Sequence, residues 1–262
     1  MILAIVASAA QASQIAYDDA SDVAYADGWD AGDNGGIGFG PWKMGFSGDG
    51  GQLDPIYGGA SHFIDGVDVG PLSENQLDAP SFGMTTSRRP FQADTVEAMR
   101  AFDEPLTTAR SFQMVLDGSA YEIGQDTNIG NVFQLLGADG VPRYELTSVE
   151  VANNQWSSNG TNTALRYDVP VRFSFSMIGP DNFIASLQRL DDSIGFIQFN
   201  GALQGTPGMP IAAVRFASIG TGSSSDGATE MFFNNMQIVP EPPMGGLFGI
   251  WLLAVGSRRR CS

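Results

Sequence analysis

The sequence predicts an all-β chain folded as a jelly-roll-like β-sandwich. Three observations predict it: apolar and polar residues alternate in short runs, clusters of Gly, Pro, Asn and Asp separate those runs, and no helical periodicity recurs between them. Sheets that lack alternating helices must bury their apolar faces against other sheets. The 262 residues suffice for one large β domain, and 43% hydrophobic with 10% aromatic residues can fill its core. The 33 glycines fit a turn-rich chain.

Met1 to Ala12 reads MILAIVASAAQA, an apolar run ending in Ala10-Gln11-Ala12, which fits a small-residue signal-peptidase site. It predicts a signal peptide over 1–12, either truncated at its start or relying on the free amino terminus for positive charge. A short core strand is the alternative. Residues 13–239 then form a single sandwich domain. Its first part, to about residue 60, is rich in Gly, Asp and aromatics, and Trp29, Phe39 and Trp42 can anchor it on a sheet face. From residue 80 the strand pattern takes over. Ser111 to Leu116 runs into an Asp117-Gly118 turn signal, and Val132 to Leu136 into Asp139-Gly140. Arg143 to Val151 turns Tyr144 and Leu146 inward. In Val171 to Ile178, Phe173, Phe175 and Met177 take one face and Arg172, Ser174 and Ser176 the other. Asn182 to Leu190, Ile194 to Phe199, Ile211 to Ile219 and Glu230 to Val239 complete the set, with Asn159-Gly160 among the turns between them. Ala93 to Phe102 is a helix candidate, yet Val96, Ala98, Arg100 and Phe102 also alternate as in a strand; both readings stay open.

Residues 240–262 form a tail of a different kind. Val239-Pro240-Glu241-Pro242 is followed by an uncharged apolar run from Met244 to Gly256, then by Arg258, Arg259 and Arg260. The prolines make a stiff spacer. The apolar run predicts a short transmembrane helix, with the arginines held on the cytoplasmic side and the body outside. This tail resembles the PEP-CTERM sorting signal of Gram-negative bacteria. The resemblance implies recognition by an exosortase in the inner membrane and removal of the tail. Many proteins of that class also open with a segment similar to Asp33 to Gly36 running into Gly38 to Trp42.

Charge and chemistry narrow the function. Without the tail from Glu241 onward, the body carries 10 basic and 28 acidic residues, a net charge of −18. Such a surface repels nucleic-acid phosphates. The only cysteine, Cys261, lies in the tail, and His62 is the only histidine, so the chain has too few such ligands for a typical His/Cys zinc site. No serine sits in a nucleophile-elbow pattern that His62 could serve. The acidic strand signature of jelly-roll glucanases is absent, and no catalytic residue is assigned. Asp27, Asp30, Asp33 and Asn34 lie on one glycine-rich loop that could wrap calcium; the alternative is a turn whose side chains cap their own backbone. Asp126 and Asn128 form a second such group. Trp29, Trp42 and Trp156, with Tyr57 and Tyr167, are the candidate platforms for stacking on sugar, although core packing is the usual fate of a tryptophan.

With these features, the PEP-CTERM resemblance implies an exported bacterial cell-surface or matrix protein, structural or adhesive and not an enzyme. Signal peptidase and exosortase are its partners during export, through a transient inner-membrane stage, and exopolysaccharide is its partner outside. The alternative is a lectin-like carbohydrate-binding module supported by calcium; a polysaccharide-active enzyme comes third.

Overall fold

Alternation along the chain resolves into strands that turn every second side chain inward. The computed structural model describes residues 14–47, 60–65, 77, 80–87, 93–122, 128–149, 155–166, 169–191, 195–221 and 227–241. The first strands are β1 (Ala16–Asp18), β2 (Lys43–Ser47), β3 (Ala60–Asp65), β4 (Ser81–Ser87) and β5 (Ala93–Leu106). There follow β6 (Arg110–Glu122), β7 (Asn128–Gly137), β8 (Pro142–Val149), β9 (Gln155–Ser158) and β10 (Thr161–Arg166). The last are β11 (Val171–Gly179), β12 (Asn182–Arg189), β13 (Phe196–Ala202), β14 (Ile211–Thr221) and β15 (Gly227–Pro240). No α-helix occurs among the described residues.

The strands form two antiparallel sheets. One has eight strands in the order β13-β12-β11-β6-β15-β4-β3, with β1 also on β15; the other has seven in the order β10-β9-β8-β7-β14-β5-β2. The chain passes repeatedly between the sheets, at β1–β2, β2–β3, β4–β5, β5–β6, β6–β7, β10–β11, β13–β14 and β14–β15, which gives the jelly-roll-like sandwich. Inward rows from both sheets meet in one apolar core. Phe216 of β14 and Phe233 of β15 stack with ring centres 3.7 Å apart, joining the two sheets at their middle. The ring of Phe133 on β7 meets Phe112, Tyr144, Phe173 and Phe216.

The Ala93 to Phe102 segment is strand: Val96, Ala98, Arg100 and Phe102 all point into the interior. The Asp117-Gly118 turn does not form. β6 continues to Glu122 because β15 offers a continuous partner, with Asp117 opposite Phe232 and Gly118 opposite Met231. Local turn chemistry gives way here to a long ladder.

The glycine-rich N-terminal part is held by one buried cation. Arg100 forms an ion pair with Asp18, and both side chains are fully buried. The guanidinium also donates to Asn34 Oδ1 at 2.6 Å, the Gly35 carbonyl at 2.7 Å and the Gly40 carbonyl at 2.5 Å. It lies over the rings of Phe39 and Trp42, 5.2 and 5.3 Å from their centres. The Tyr25 hydroxyl joins the cluster by donating to Asp18 and accepting from Gly35 N–H and Trp42 Nε1–H. Burial pushes the Asp18 carboxyl up to about 6, against the lowering pull of Arg100 and Tyr25. Gly36 has φ +70°, and a Cβ there would lie 2.0 Å from the Tyr17 carbonyl oxygen, so this crossing needs glycine.

At the other end, Val239 and Pro240 finish β15, with Pro240 opposite Arg110. The Glu241 N–H donates to the Ala109 carbonyl at 2.8 Å, and its carboxylate accepts from the hydroxyls of Ser111 and Ser176. The start of the Pro-Glu-Pro segment is therefore part of the folded sheet. Pro242, the C-terminal apolar helix, Arg258, Arg259 and Arg260 lie outside the described residues, as do the expected signal peptide and its Ala10 and Ala12.

Candidate functional site

At one open side of the sandwich the edge strands of the two sheets face each other, β10 from one and β13 from the other. Between them lies a groove of about 350 Å³. Its size falls within the range of small-ligand sites.

The β9–β10 hairpin builds one wall. Ser158 and Thr161 pair directly, leaving Asn159 and Gly160 as a two-residue turn with φ of +46° and +77°. Positive φ at both positions is what Asn-Gly supplies in a hairpin turn that matches strand twist. Asn159 fastens this hairpin to its surroundings: its Oδ1 accepts from Glu145 N–H at 2.9 Å, and its Nδ2 reaches the Ala202 carbonyl of β13 at 3.5 Å. Asn162 Oδ1 accepts from Ala164 N–H at 2.8 Å, and the Thr163 hydroxyl donates to the Trp156 carbonyl at 2.8 Å. These bonds fix the hairpin's geometry.

β13 builds the other wall. Phe199 is half-buried against the core and contributes apolar surface to the groove, with Phe183 beneath. Asn200 is exposed beside them. Neither Asn200 nor Thr161 bonds another described residue through its side chain, so both can serve a ligand.

The lining carries no carboxylate, imidazole, amine or guanidinium group. It offers amides and hydroxyls, which both donate and accept, against aromatic surface. That combination suits an uncharged polyhydroxyl ligand. It supplies no acid–base pair for hydrolysis.

The three candidate tryptophans are corrected by burial. Trp29, Trp42 and Trp156 are 3%, 1% and 0% exposed, so none can stack on a sugar. Trp29 and Trp42 pack edge to face at 5.0 Å in the core. Tyr57 and Tyr167 lie outside the described residues. In the candidate calcium loop the oxygens turn to the protein itself: Asp33 Oδ2 accepts from Asp30 N–H at 2.7 Å, and Asn34 Oδ1 is bonded to Arg100. Asp27 is exposed nearby. Among the described residues no three His, Cys, Asp or Glu side chains are grouped to hold a metal ion. Of the second group, Asp126 lies outside the described residues and Asn128 opens β7. His62 sits on β3 opposite Met84.

No protein-family model matches the sequence, and no curated protein matches it. Among solved structures, lectin II from Ulex europaeus is similar at 7% identity and a TM-score of 0.41, over 75% of this chain and 92% of that one. Lectin I-B4 from Griffonia simplicifolia, in its metal-free form, is similar at 9% identity and 0.37, over 76% and 93%. A family 11 carbohydrate-binding module of a cellulosomal cellulase from Clostridium thermocellum is similar at 8% identity and 0.31, over 76% and 88%. The sandwich assignment rests on the two sheets themselves.

Proposed function

We propose that the protein is a non-catalytic, carbohydrate-binding adhesive module that works outside the cell. The observation that carries this reading is the uncharged groove, walled by Thr161, Asn200 and Phe199, in a chain of net charge −16. An acidic chain that keeps one concave surface free of charge is suited to a neutral glycan. Cationic partners would be drawn to the acidic surface elsewhere.

A glycan array probed with the full chain, with and without EDTA, tests the reading. Neutral glycans are expected to bind. Asn200→Ala and Phe199→Ala are each expected to weaken that binding about tenfold, as loss of a polar or aromatic contact at a site's centre does. Binding lost in EDTA assigns calcium a supporting role. Binding confined to charged glycans, or turnover of a polysaccharide, contradicts the proposal.

The export route is part of the same proposal, and the tail pattern and the terminal A-x-A site support it. The body would reach the cell surface or matrix after an exosortase removes the tail. Intact mass of the protein from its native host is expected to show loss of residues up to Ala12 and of the tail beyond Pro242. A retained tail would leave a plain membrane anchor.

A further inference from the structure

We infer that the outer face of the eight-stranded sheet prolongs the groove into a strip that docks an extended, neutral polysaccharide chain laid across the strands. The inference rests on the groove reading and adds the class of its ligand: a long chain, not a single sugar or a chain end.

The strip is read from strand register. Tyr17, Gln237, Gln113, Ser174, Ser186 and Gln198 are consecutive cross-strand partners on β1, β15, β6, β11, β12 and β13. They form one straight row, half-buried or exposed. Six strands spaced about 4.8 Å apart make this row roughly 24 Å long. A hydrogen-bonding group at each strand recurs at close to the rise of one sugar unit in an extended polysaccharide.

The row is polar without charge. Gln14 Nε2 donates to Gln237 Oε1 at 2.7 Å, and Gln237 Nε2 donates to Gln113 Oε1 at 3.2 Å, so the amides at one end are pre-aligned. Ser174, Ser186 and Gln198 bond no other described residue through their side chains and keep their full capacity for a ligand. On the parallel row, Ser176 faces Ile184, and Ile184 faces Asn200 of the groove, so strip and groove are continuous around edge strand β13. On the other side Arg172 faces Gln188, and Gln188 faces Phe196, which is 59% exposed. Arg172 is the one charged side chain across these three rows. Glu241 closes one end, already engaged by Ser111 and Ser176.

Charge complementarity selects the occupant. Apart from Glu241, held by Ser111 and Ser176, and Asp19, which accepts from the Tyr17 hydroxyl, these rows carry no carboxylate, so on so acidic a chain their middle neither attracts a basic partner nor repels a neutral one. The central row has no aliphatic side chain to bury, which disfavours a second copy of the chain.

The test is chain-length dependence, measured by titrating the full protein with β-1,4-linked glucan, mannan and galactan oligosaccharides of two to eight units. With at least one series, wild-type affinity is expected to rise about tenfold from disaccharide to hexasaccharide, the effect of one or two added hydrogen bonds. Ser174→Val/Ser186→Val, which favours strand, is expected to flatten that rise and leave disaccharide affinity unchanged. Gln113→Leu is the second variant, with the same expectation. Length-independent binding by the wild type overturns the strip and leaves the groove standing. A rise that survives both variants also overturns it. Failure of every series to bind overturns strip and groove together. A dimer in sedimentation that either variant dissolves assigns the face to a second copy and overturns the proposal.

Discussion

Arg100→Met is expected to lower the unfolding free energy by about 3–5 kcal/mol, as removing one member of a buried, hydrogen-bonded ion pair does. The guanidinium satisfies the Asp18 carboxylate, Asn34 and the carbonyls of Gly35 and Gly40 at once. Methionine fills similar space but strips the buried Asp18 carboxylate of its cation, leaving it the Tyr25 hydroxyl, and leaves the buried Gly35 carbonyl without the guanidinium donor. The damage should fall first on residues 14–42, so limited proteolysis there should accelerate while the remaining strands resist. Arg215 supplies the control. Its pair with Glu97 is partly exposed, and Arg215→Met should cost no more than about 1 kcal/mol. Urea unfolding of both variants measures the contrast, and equal losses would refute the clamp.

The same cluster sets a pH dependence. Burial raises Asp18 from 3.8 to about 6, so the folded state holds this proton more tightly than the unfolded state does. Its contribution to stability is complete below pH 3.8 and is lost as pH rises through 6. Asp18→Asn should remove this component from the stability profile. In Arg100→Met the lowering pull is gone, so the loss should move to higher pH.

Phe133→Ala is expected to cost about 3–5 kcal/mol through the cavity it leaves. Phe133 is fully buried at the point where rings from β6, β8, β11 and β14 converge. Both sheets contribute to that contact set, so the variant should lower the unfolding midpoint of the whole sandwich in a single transition. Unfolding followed by near-ultraviolet and far-ultraviolet circular dichroism measures it. Two separated transitions would mean that the sheets do not share one core.

Most strands from Ser111 onward were legible because their apolar alternation is strong. Phe173, Phe175 and Met177 declare the buried face of β11 without help from context. β9 and β10 were not legible, since half of Gln155 to Arg166 is Ser, Thr and Asn and the segment reads as loop. The Asn159-Gly160 turn was visible, and Ser/Thr-rich flanks around such a turn were the signal that a hairpin was present. The groove was hidden for a further reason: its residues come from two distant hairpins and carry ordinary neutral side chains. Tryptophan drew attention to the wrong positions. In a sandwich this rich in glycine, Trp29, Trp42 and Trp156 are needed to fill the interior. Arg100 fitted the strand alternation of β5, but its partners Asp18 and Asn34 lie more than sixty residues earlier, and nothing local connects them.

Amide hydrogen exchange of the full chain, with and without a neutral polysaccharide that it binds, tests the central claim most directly. Ligand should slow exchange in the β9–β10 hairpin and in β13, around Thr161 and Asn200. Protection confined to the acidic loop at Asp27 to Asn34, with those strands unchanged, would contradict the uncharged groove as the binding surface.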